Sequence, residues 1–335
     1  MRKLQSVFAA AIFVVSVQCG STTAPVTAPS PDGNSPEIVS PPGRIAFVTE
    51  VSPFNGALYI VNSDGSGFRK LAGGAAYYTR PRWSPDRRRI AFSRMAEDLR
   101  SEILVIDVDG KGGTVRLAEG ADPAWSPDGT KIVFTSNGGA PLGSAFGVYV
   151  MNADGSGIRQ LTSPNNPEQC SVGASADDFN PDWSPDGKRI LFERDFNTDD
   201  VDGFDCGLDG YGYVPNVYVM NADGTEQRRL RPGGVWDHTD GEPAWSPDGQ
   251  FVALSKWAGG VVVIRADGSA GQQQVVVSNY PELSPAWSAD GKNLLFLAVN
   301  PPTNFLGIWD FASGSAHFIG LPATLGLILD PAWSR

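Results

Sequence analysis

The chain is poor in the residues on which many enzymes and metal sites depend. Its 335 residues include only three cysteines and two histidines. His238 and His317 are too few for a three-histidine zinc site, and neither lies in a His-Glu-x-x-His motif. No Gly-x-Ser-x-Gly nucleophile motif and no Gly-Lys-Ser/Thr phosphate loop occurs. We therefore expect no catalytic residue and no resident cofactor.

Positive charge is also scarce. Asp and Glu number 37 against 26 Lys and Arg, which gives a net charge of −11 and a sequence pI near 4.7. Binding to nucleic-acid phosphates needs clustered cations, so a nucleic-acid partner is disfavoured. No segment after residue 20 shows a sustained helical period. A hydrophobic fraction of 41% is ample for one large all-β domain.

What the chain does contain is a repeat marked by tryptophan. Pro181-Asp182-Trp183-Ser184-Pro185-Asp186-Gly187 precedes the apolar run 190–192, and the Trp-Ser core recurs at Trp83, Trp125, Trp245, Trp287 and Trp333. Ser-Pro-Asp-Gly favours a type I turn between two strands. The anchors are 42 (83 to 125), 58, 62, 42 and 46 residues apart. A period in the forties, built of strands with two long insertions, indicates propeller blades.

A second turn signal follows the same period. Asp-Gly ends an aromatic and β-branched run in five repeats, at Asp64, Asp109, Asp154, Asp223 and Asp267, with a looser sixth copy at 310–314. Asp-Gly between such runs predicts a hairpin. Each repeat is therefore predicted to be a four-strand meander, with strands a to d at 123–126, 131–135, 148–152 and 158–161 in one copy.

These phrases resemble the TolB-type, WD40-like (PD40) β-propeller repeat. The family includes periplasmic TolB and the propeller that precedes the hydrolase domain of prolyl-oligopeptidase relatives. The resemblance covers about residues 44–335; Arg87 stands where glycine is usual, and Ala289 replaces proline. It implies a propeller fold and no catalytic position, because the motif residues are structural. We expect neither the α/β domain that precedes the propeller in TolB nor a hydrolase domain.

The two ends of the repeat region complete each other. Residues 44–71 supply strands b, c and d without a preceding Trp-Ser strand, and residues 329–334 supply a strand a with nothing after it. We therefore predict a six-bladed β-propeller whose first blade is closed by the C-terminal strand. Closure would remove the open sheet edge.

The N-terminus has the pattern of a processing segment. Arg2 and Lys3 precede a short apolar region at 7–17, and Cys19 follows. This resembles a bacterial lipoprotein signal with lipidation at Cys19, although Gln18 stands where a small residue is usual. The alternative is ordinary secretion with cleavage nearby. Residues 20–43, rich in Ser, Thr and Pro, are predicted to be a flexible tether.

Alternating strand directions sort the connections by face. The tight a–b and c–d turns share one face, and the b–c and d–a connections share the other. All the long variable segments belong to the second face: 72–80, 94–101, 137–147, 163–180, 196–215, 231–242 and 300–306. Binding residues concentrate on loops held by a rigid scaffold, so this is the expected functional face.

Two further features fall in these segments. Cys170 and Cys206 lie in neighbouring long loops of an exported protein, which predicts a disulfide, with two free thiols as the alternative. An acidic, glycine-rich loop is a candidate calcium site, although it lacks the distal Glu of an EF-hand and a solvated acidic loop is the alternative. Its candidate ligands are Asp199, Asp200, Asp202, Asp205 and Asp209.

Aromatic residues divide into two groups. The six repeat tryptophans are predicted to pack between blades. Others in the variable segments are candidate partner anchors, with burial under their own loops as the alternative. These candidates, together with His238 as a polar neighbour, are Tyr77, Tyr78, Phe196, Phe204, Tyr211, Tyr213 and Trp236.

The sequence therefore predicts an exported, lipid-anchored, monomeric binding scaffold of the cell envelope. It would bind a protein or peptide partner through the variable face or the central channel, and contact the membrane only through its lipid. Two alternatives remain: a hydrolase or lyase acting on envelope carbohydrate or peptide, and a calcium-dependent binding module. Clustered inward-facing Asp, Glu, Arg and His would favour the hydrolase.

Overall fold

Six four-stranded antiparallel sheets make up the described part of the chain. The computed structural model describes residues 43–140, 144–163, 175–197, 215–230, 240–256, 260–269, 272–276, 282–298 and 304–334. Each sheet is an up-and-down meander in which neighbouring strands pair. The six-bladed propeller predicted from the repeat is confirmed.

Within each blade the strands follow one another from the inner strand a to the outer strand d. The first three blades are β24 (Leu327–Trp333), β1 (Arg44–Ser52), β2 (Asn55–Asn62) and β3 (Arg69–Gly74); β4 (Tyr77–Trp83), β5 (Arg89–Met95), β6 (Ser101–Asp107) and β7 (Thr114–Glu119); and β8 (Ala121–Trp125), β9 (Lys131–Ser136), β10 (Gly147–Asn152) and β11 (Arg159–Gln160). The last three are β12 (Ser175–Trp183), β13 (Arg189–Asn197), β14 (Pro215–Asn221) and β15 (Arg228–Arg229); β16 (Asp240–Trp245), β17 (Phe251–Lys256), β18 (Val261–Arg265) and β19 (Gln272–Val276); and β20 (Glu282–Trp287), β21 (Asn293–Ala298), β22 (Phe305–Asp310) and β23 (Ser315–Phe318).

The repeated turns fold as their sequence predicts. In blade 3 the Asp128 carboxylate accepts a hydrogen bond from Ser126 Oγ at 2.6 Å and another from the Thr130 backbone N–H at 3.0 Å. Gly129 takes the left-handed conformation (φ 70°) that the turn requires. These turns and the c–d turns form one face of the propeller, which we call the tight-turn face. The b–c and d–a connections form the opposite, long-loop face.

The core lies between blades. The apolar run of each strand b, such as Ile190, Leu191 and Phe192, is fully buried. All six repeat tryptophans are at most 8% exposed and belong to the core clusters. Trp83 and Trp287 donate their indole N–H to a backbone carbonyl of the preceding strand a, at 3.2 Å and 3.1 Å.

The C-terminal strand closes the ring. β24 pairs antiparallel with β1, Ile45 opposite Trp333 and Glu50 opposite Leu327. The strand begins two residues earlier than the predicted 329–334. Ile328, Ala332 and Trp333 are buried there, so the seam between the chain ends is part of the core.

Some predicted loops are shorter than expected. β4 begins at Tyr77, so the predicted variable loop 72–80 contracts to the two residues between β3 and β4. Strand d of blade 3 is only Arg159–Gln160, against the predicted 158–161. In the described ranges the one helical element is a 3₁₀ turn, Ala323–Leu325.

Candidate functional site

A ring of six polar residues lines the middle of the channel. Each is the third residue before a repeat tryptophan on strand a, and each is followed by proline. All six have positive φ, between 46° and 54°, a region that L residues seldom occupy. We call this set the channel ring: Arg80, Asp122, Asn180, Glu242, Ser284 and Asp330.

The proline explains the local geometry. Pro81 and its five counterparts have no N–H to give to the ladder, and the pairing of every strand a with its strand b shifts register at this point. Such a bulge re-aims the residue before it. Strained positions of this kind concentrate at functional sites, which makes the channel ring the candidate site.

The re-aimed backbone amides connect neighbouring blades. The Arg80 N–H donates to Asp330 Oδ2 at 3.1 Å, and the Ser284 N–H donates to Glu242 Oε2 at 2.6 Å. The Asn180 N–H donates to the Asp122 carboxylate. The Glu242 N–H donates to Glu193 Oε1 on strand b of blade 4. The channel ring is therefore a hydrogen-bonded belt joining successive blades.

Arg80 is the centre of the ring. Its Nη2 lies 2.7 Å from Glu242 Oε1, and because Arg80 belongs to blade 2 and Glu242 to blade 5, this ion pair crosses the channel. The Arg80 Nε lies 3.9 Å from both Asp122 and Asp330, on the two flanking blades. Arg80 is only 8% exposed, so this network is largely shielded from solvent.

Burial and ion pairing shift the pKa values of the ring carboxyl groups in opposite directions. Burial raises the pKa of Asp122, although the Arg80 charge opposes this. Burial also acts to raise the pKa of Glu242, but the Arg80 charge and bonds from Ser284 outweigh it and the pKa is lowered. Glu242 is therefore held as a carboxylate.

A second acidic group lies behind the ring, on β13. Burial and the nearby Glu242 charge raise the pKa of Glu193 to about 7. Burial, with the charges of Glu193, Asp177 and Asp178, raises that of Asp195 to about 8. Asp195 lies opposite Asp177 in the ladder, and its buried Oδ1 has no hydrogen-bond partner among the described residues. At neutral pH the Asp195 carboxyl group is therefore mostly protonated, and the Glu193 carboxyl group is about half protonated.

The chemistry of the ring favours recognition over catalysis. Ser284 Oγ lies 3.1 Å from Glu242 Oε2, but a carboxylate neutralised by Arg80 is a weak base for activating a hydroxyl. Clustered Asp, Glu and Arg, which would favour a hydrolase, are present in the channel ring, but the described histidine, His317, lies on the outer strand β23. His238 lies outside the described residues.

The partner-binding candidates predicted from the sequence lie in different parts of the propeller. Tyr77 lies at the long-loop end of β4, where its ring centroid is 4.5 Å from that of Phe54 and its hydroxyl is hydrogen-bonded to Glu50. Tyr78, expected in a variable loop, is instead a strand residue, 9% exposed and stacked on Phe92 at 5.9 Å. It belongs to the core because β4 starts earlier than predicted.

One further candidate, Phe196, lies within the described residues, and the rest lie outside them. Phe196 lies on β13, with its backbone paired to Ala176 on β12, rather than in a loop. The remaining partner anchors, the predicted calcium ligands, the predicted disulfide and the lipidation site lie outside the described residues: Phe204, Tyr211, Tyr213, Trp236, Asp199, Asp200, Asp202, Asp205, Asp209, Cys170, Cys206 and Cys19.

Sequence reasoning missed the channel ring, although a signal for it was present. Every copy has proline two residues before the tryptophan, and the residue before that proline is polar in all six. A proline inside a predicted inner strand implies a break in the ladder, and therefore a residue turned out of the sheet. The identity of the six residues, which are one cation, three acids, one amide and one hydroxyl, then indicates an ion network.

Neither a metal-binding cluster nor a membrane-spanning helix is present among the described residues. No group of three or more His, Cys, Asp or Glu side chains in these ranges is arranged to hold a metal ion. Within the same ranges, no helix has the length and apolar character needed to cross a membrane.

The fold and the channel ring define a β-propeller scaffold, and comparison with known proteins shows which propellers it is similar to. Residues 42–200 match the family model described as TolB beta propeller domain, PD40. These residues, somewhat less than half of the chain, match the family that the repeated motifs resemble. Among solved structures it is similar to TolB from Acinetobacter baumannii, with a TM-score of 0.66 and 20% identity, covering 87% of this chain and 66% of that chain.

Curated relatives match only in part. Over 207 residues the chain is 28% identical to a protein named uncharacterized peptidase YuxL, from Bacillus subtilis, covering 53% of this chain and 29% of that protein. Over 221 residues it is 25% identical to the Tol-Pal system protein TolB of Francisella tularensis subsp. mediasiatica, covering 64% of this chain and 44% of that protein. The chain thus spans less than half the length of each of these relatives.

Proposed function

We propose that this protein is an exported, lipid-anchored, non-catalytic scaffold of the cell envelope that binds a protein or peptide partner through its long-loop face and channel mouth. The observation that carries the proposal is the ion pair across the channel. Arg80 and Glu242 neutralise each other at 2.7 Å, and the surrounding amides and hydroxyls occupy the remaining carboxylate oxygens. The ring therefore stabilises a rigid platform and leaves no activated group for chemistry.

The character of the channel indicates what kind of group a partner would insert. Asp122, Glu242 and Asp330 surround a single guanidinium, so the ring carries more negative than positive charge when these groups are ionised. A lysine or arginine side chain of a peptide would complement it. Tyr77, with Phe54 beside it on the long-loop face, offers an aromatic surface to a partner.

Similarity to a Tol-Pal system protein supports an envelope role for this chain. The activity named for the peptidase relative is not inferred for this chain, because the chain covers only 29% of that protein. The predicted signal segment and Cys19 support export and anchoring. The predicted disulfide between Cys170 and Cys206 would hold two loops of the same face together.

The experiment is capture of envelope proteins by the full chain and by a loop variant. Asp195 and Pro215 are paired in the ladder, so residues 198–214 can be replaced by a short Gly-containing turn without separating β13 from β14. We expect the variant to lose partners that the parent retains. Ile158→Ser, on the tight-turn face, is the control and should retain them. Equal capture by the loop variant would contradict the proposal.

A hydrolase remains the second candidate because one observation favours it. Glu193 has its pKa raised to about 7, while that of the neighbouring Glu242 is lowered, and such a separation is typical of an acid and base pair. Hydrolysis of an envelope peptide or glycan that is lost in Glu193→Gln, with the fold intact, would support this function. Absence of hydrolysis in the parent would remove it.

Calcium-dependent binding is the third candidate, based on the aspartates at 199–209. Calorimetric titration of the full chain with Ca²⁺ tests it. Heat of binding that disappears when Asp200 and Asp202 are changed to Asn would support a calcium site. No heat at millimolar Ca²⁺ would exclude one of useful affinity.

A further inference from the structure

Each repeat tryptophan lies where two blades meet, and five of the six have a planar group of the protein against the ring. At three boundaries this group is the guanidinium of the first residue of strand b in the preceding blade: Arg44 at 4.8 Å from the Trp83 ring, Arg89 at 4.6 Å from Trp125 and Arg189 at 4.9 Å from Trp245. Phe311 stacks on Trp287 with centroids 5.3 Å apart. The Gly43 backbone packs so closely on Trp333 that a Cβ there would overlap the indole.

The boundary between blades 3 and 4 is different. Lys131 takes the place of the arginine as the first residue of β9, opposite Trp183. Its Nζ lies 3.3 Å from Asn152 Oδ1 in its own blade, and its side chain is exposed, whereas the three stacked arginines are half-buried. A cavity of about 400 Å³ opens between the blades at this point. Its volume is within the range of small-molecule sites.

We call this cavity the interblade cleft. It opens among the a–b and c–d turns, on the tight-turn face. The lining residues that bear on its chemistry are Asp128, Lys131, Arg159, Trp183, Asp186 and Gly187.

The boundary between blades 1 and 2 shows what such a cleft holds. There the Arg44 guanidinium, stacked on Trp83, donates from Nη2 to the Arg87 carbonyl at 2.7 Å. Gly187 is the residue of blade 4 that corresponds to Arg87, and its φ is similar, 68° against 58°. The cleft therefore has, in Trp183 and Gly187, the counterparts of the ring and the carbonyl that hold a guanidinium elsewhere in the molecule.

Two carboxylates border the cleft, one from each blade. Bonds from the Ser126 and Ser184 hydroxyls lower the pKa of Asp128 and Asp186, so both are charged at neutral pH. The turn bonds engage only Oδ1 of each carboxylate. The second oxygen of each can therefore accept from a ligand cation.

Two cations border it on the blade 3 side. Arg159 is fixed by a bond from its Nη1 to the Asp223 carbonyl at 3.1 Å, and Lys131 is the other. A guanidinium beside an arginine has a precedent here, because Arg44 lies close enough to Arg69 for that charge to lower its pKa, after burial. The cleft thus offers positive and negative groups in equal number.

We propose that the interblade cleft binds a small molecule that carries a guanidinium at one end and a carboxylate at the other, the class of free arginine. The guanidinium stacks on Trp183 and pairs with Asp186 and Asp128. The carboxylate pairs with Lys131 and Arg159. The site is on the face opposite the long loops, so it does not depend on the partner of the proposed function.

Titration of the full chain with L-arginine, followed by the NMR signals of the tryptophan indole N–H groups, tests the site. Trp183→Phe assigns the Trp183 signal. Citrulline, which has a urea in place of the guanidinium, and agmatine, which lacks the carboxylate, are the matched ligands. We expect a saturable shift of the Trp183 signal, with a dissociation constant of about 1 mM or below. Citrulline should bind at least about tenfold more weakly and agmatine roughly fivefold more weakly.

Two variants examine the cleft from the protein side. Lys131→Arg keeps the charge and restores the arginine of the other boundaries, so it should fill the cleft and weaken binding at least about tenfold. Its melting temperature should equal or exceed that of the parent, because the cavity is closed. Asp186→Asn should weaken binding roughly tenfold. Asp248→Asn is the matched control: it changes the corresponding turn in blade 5, where Arg189 covers the tryptophan, and should change binding by less than about twofold.

An unmoved Trp183 signal at about 50 mM arginine would overturn the inference, since so weak a site has no use. Citrulline or agmatine binding as tightly as arginine would contradict the ligand class. Unchanged binding in a folded Lys131→Arg variant, or an equal loss in Asp248→Asn, would contradict the location. None of these results bears on whether the long-loop face binds a protein partner.

Discussion

Arg80 Nη2 lies 2.7 Å from Glu242 Oε1, on the blade directly across the channel. An ion pair through the axis of a propeller connects strands that the sheets themselves never bring together. It depends on the bulge in each strand a, which turns the residue before proline inward. The repeat that builds the blades therefore also builds the network that ties opposite blades to one another.

Removing Arg80 should strongly destabilise the propeller. Arg80→Met leaves Glu242, Asp122 and Asp330 without their shared cation in a buried site, which costs about 3 to 5 kcal/mol of unfolding free energy. Arg100→Met is the control, because its pair with Glu119 at 3.8 Å is largely exposed, and it should cost less than about 1 kcal/mol. Urea denaturation measures both.

The double variant Arg80→Met with Glu242→Gln measures the interaction energy between these two side chains. Neutralising Glu242 removes one of the orphaned charges, so the double variant should be less destabilised than the sum of the two single variants. Strict additivity would show that the two side chains do not interact across the channel.

Stability should depend on the protonation of Glu193. Its pKa is about 7 in the folded state against 4.5 ordinarily, so the folded state binds the proton more tightly. The resulting stabilisation is complete below about pH 4.5 and is lost as pH rises through about 7. Glu193→Gln keeps an oxygen for the Glu242 N–H and has no charge to form. We therefore expect the unfolding free energy of the variant to increase relative to that of the parent as pH rises, by at most about 3 kcal/mol.

Thermal melting at a series of pH values between about 5 and 8 measures this difference. Glu102→Gln is the control, because bonds from Arg94 and Arg116 lower the pKa of Glu102, and that group is ionised throughout the range. The difference in melting temperature between Glu102→Gln and the parent should stay constant across this range. A Glu193→Gln variant whose difference is equally constant would show that Glu193 titrates normally.

Closure of the ring should contribute heavily to stability. Trp333 is 4% exposed at the seam between β24 and β1, so Trp333→Ala should cost about 3 to 5 kcal/mol, and removal of residues 327–335 should cost more. Phe318→Ala, on the outer strand and 56% exposed, should cost far less. An unchanged melting temperature after removal of the strand would refute closure.

The six-bladed architecture could be predicted because its signals are local and repeated. Ser-Pro-Asp-Gly and Asn-Ala-Asp-Gly specify turns by their own backbone chemistry, and the apolar runs between them alternate as strands require. The complementary halves at residues 44 and 333 then indicated closure. Strand ends are harder to predict: the sequence places Tyr78 in a loop because nothing local marks where β4 begins.

The candidate site was harder to predict because it is assembled from distant residues. Arg80 and Glu242 are separated by 162 positions and meet only when six blades close around an axis. Their polarity alone does not reveal that they face inward, since strand residues alternate between two faces. Only the proline after each of them, taken with the period of the repeat, places them at the same level of the channel.

The most direct measurement compares the two faces of the propeller in living cells. A photo-crosslinking amino acid replaces Val51, 65% exposed on the long-loop face, or Ile158, 53% exposed on the tight-turn face. We predict that the Val51 position forms adducts with a protein partner and that the Ile158 position forms none. Protein adducts from Ile158 with none from Val51 would contradict the assignment of partner binding to the long-loop face.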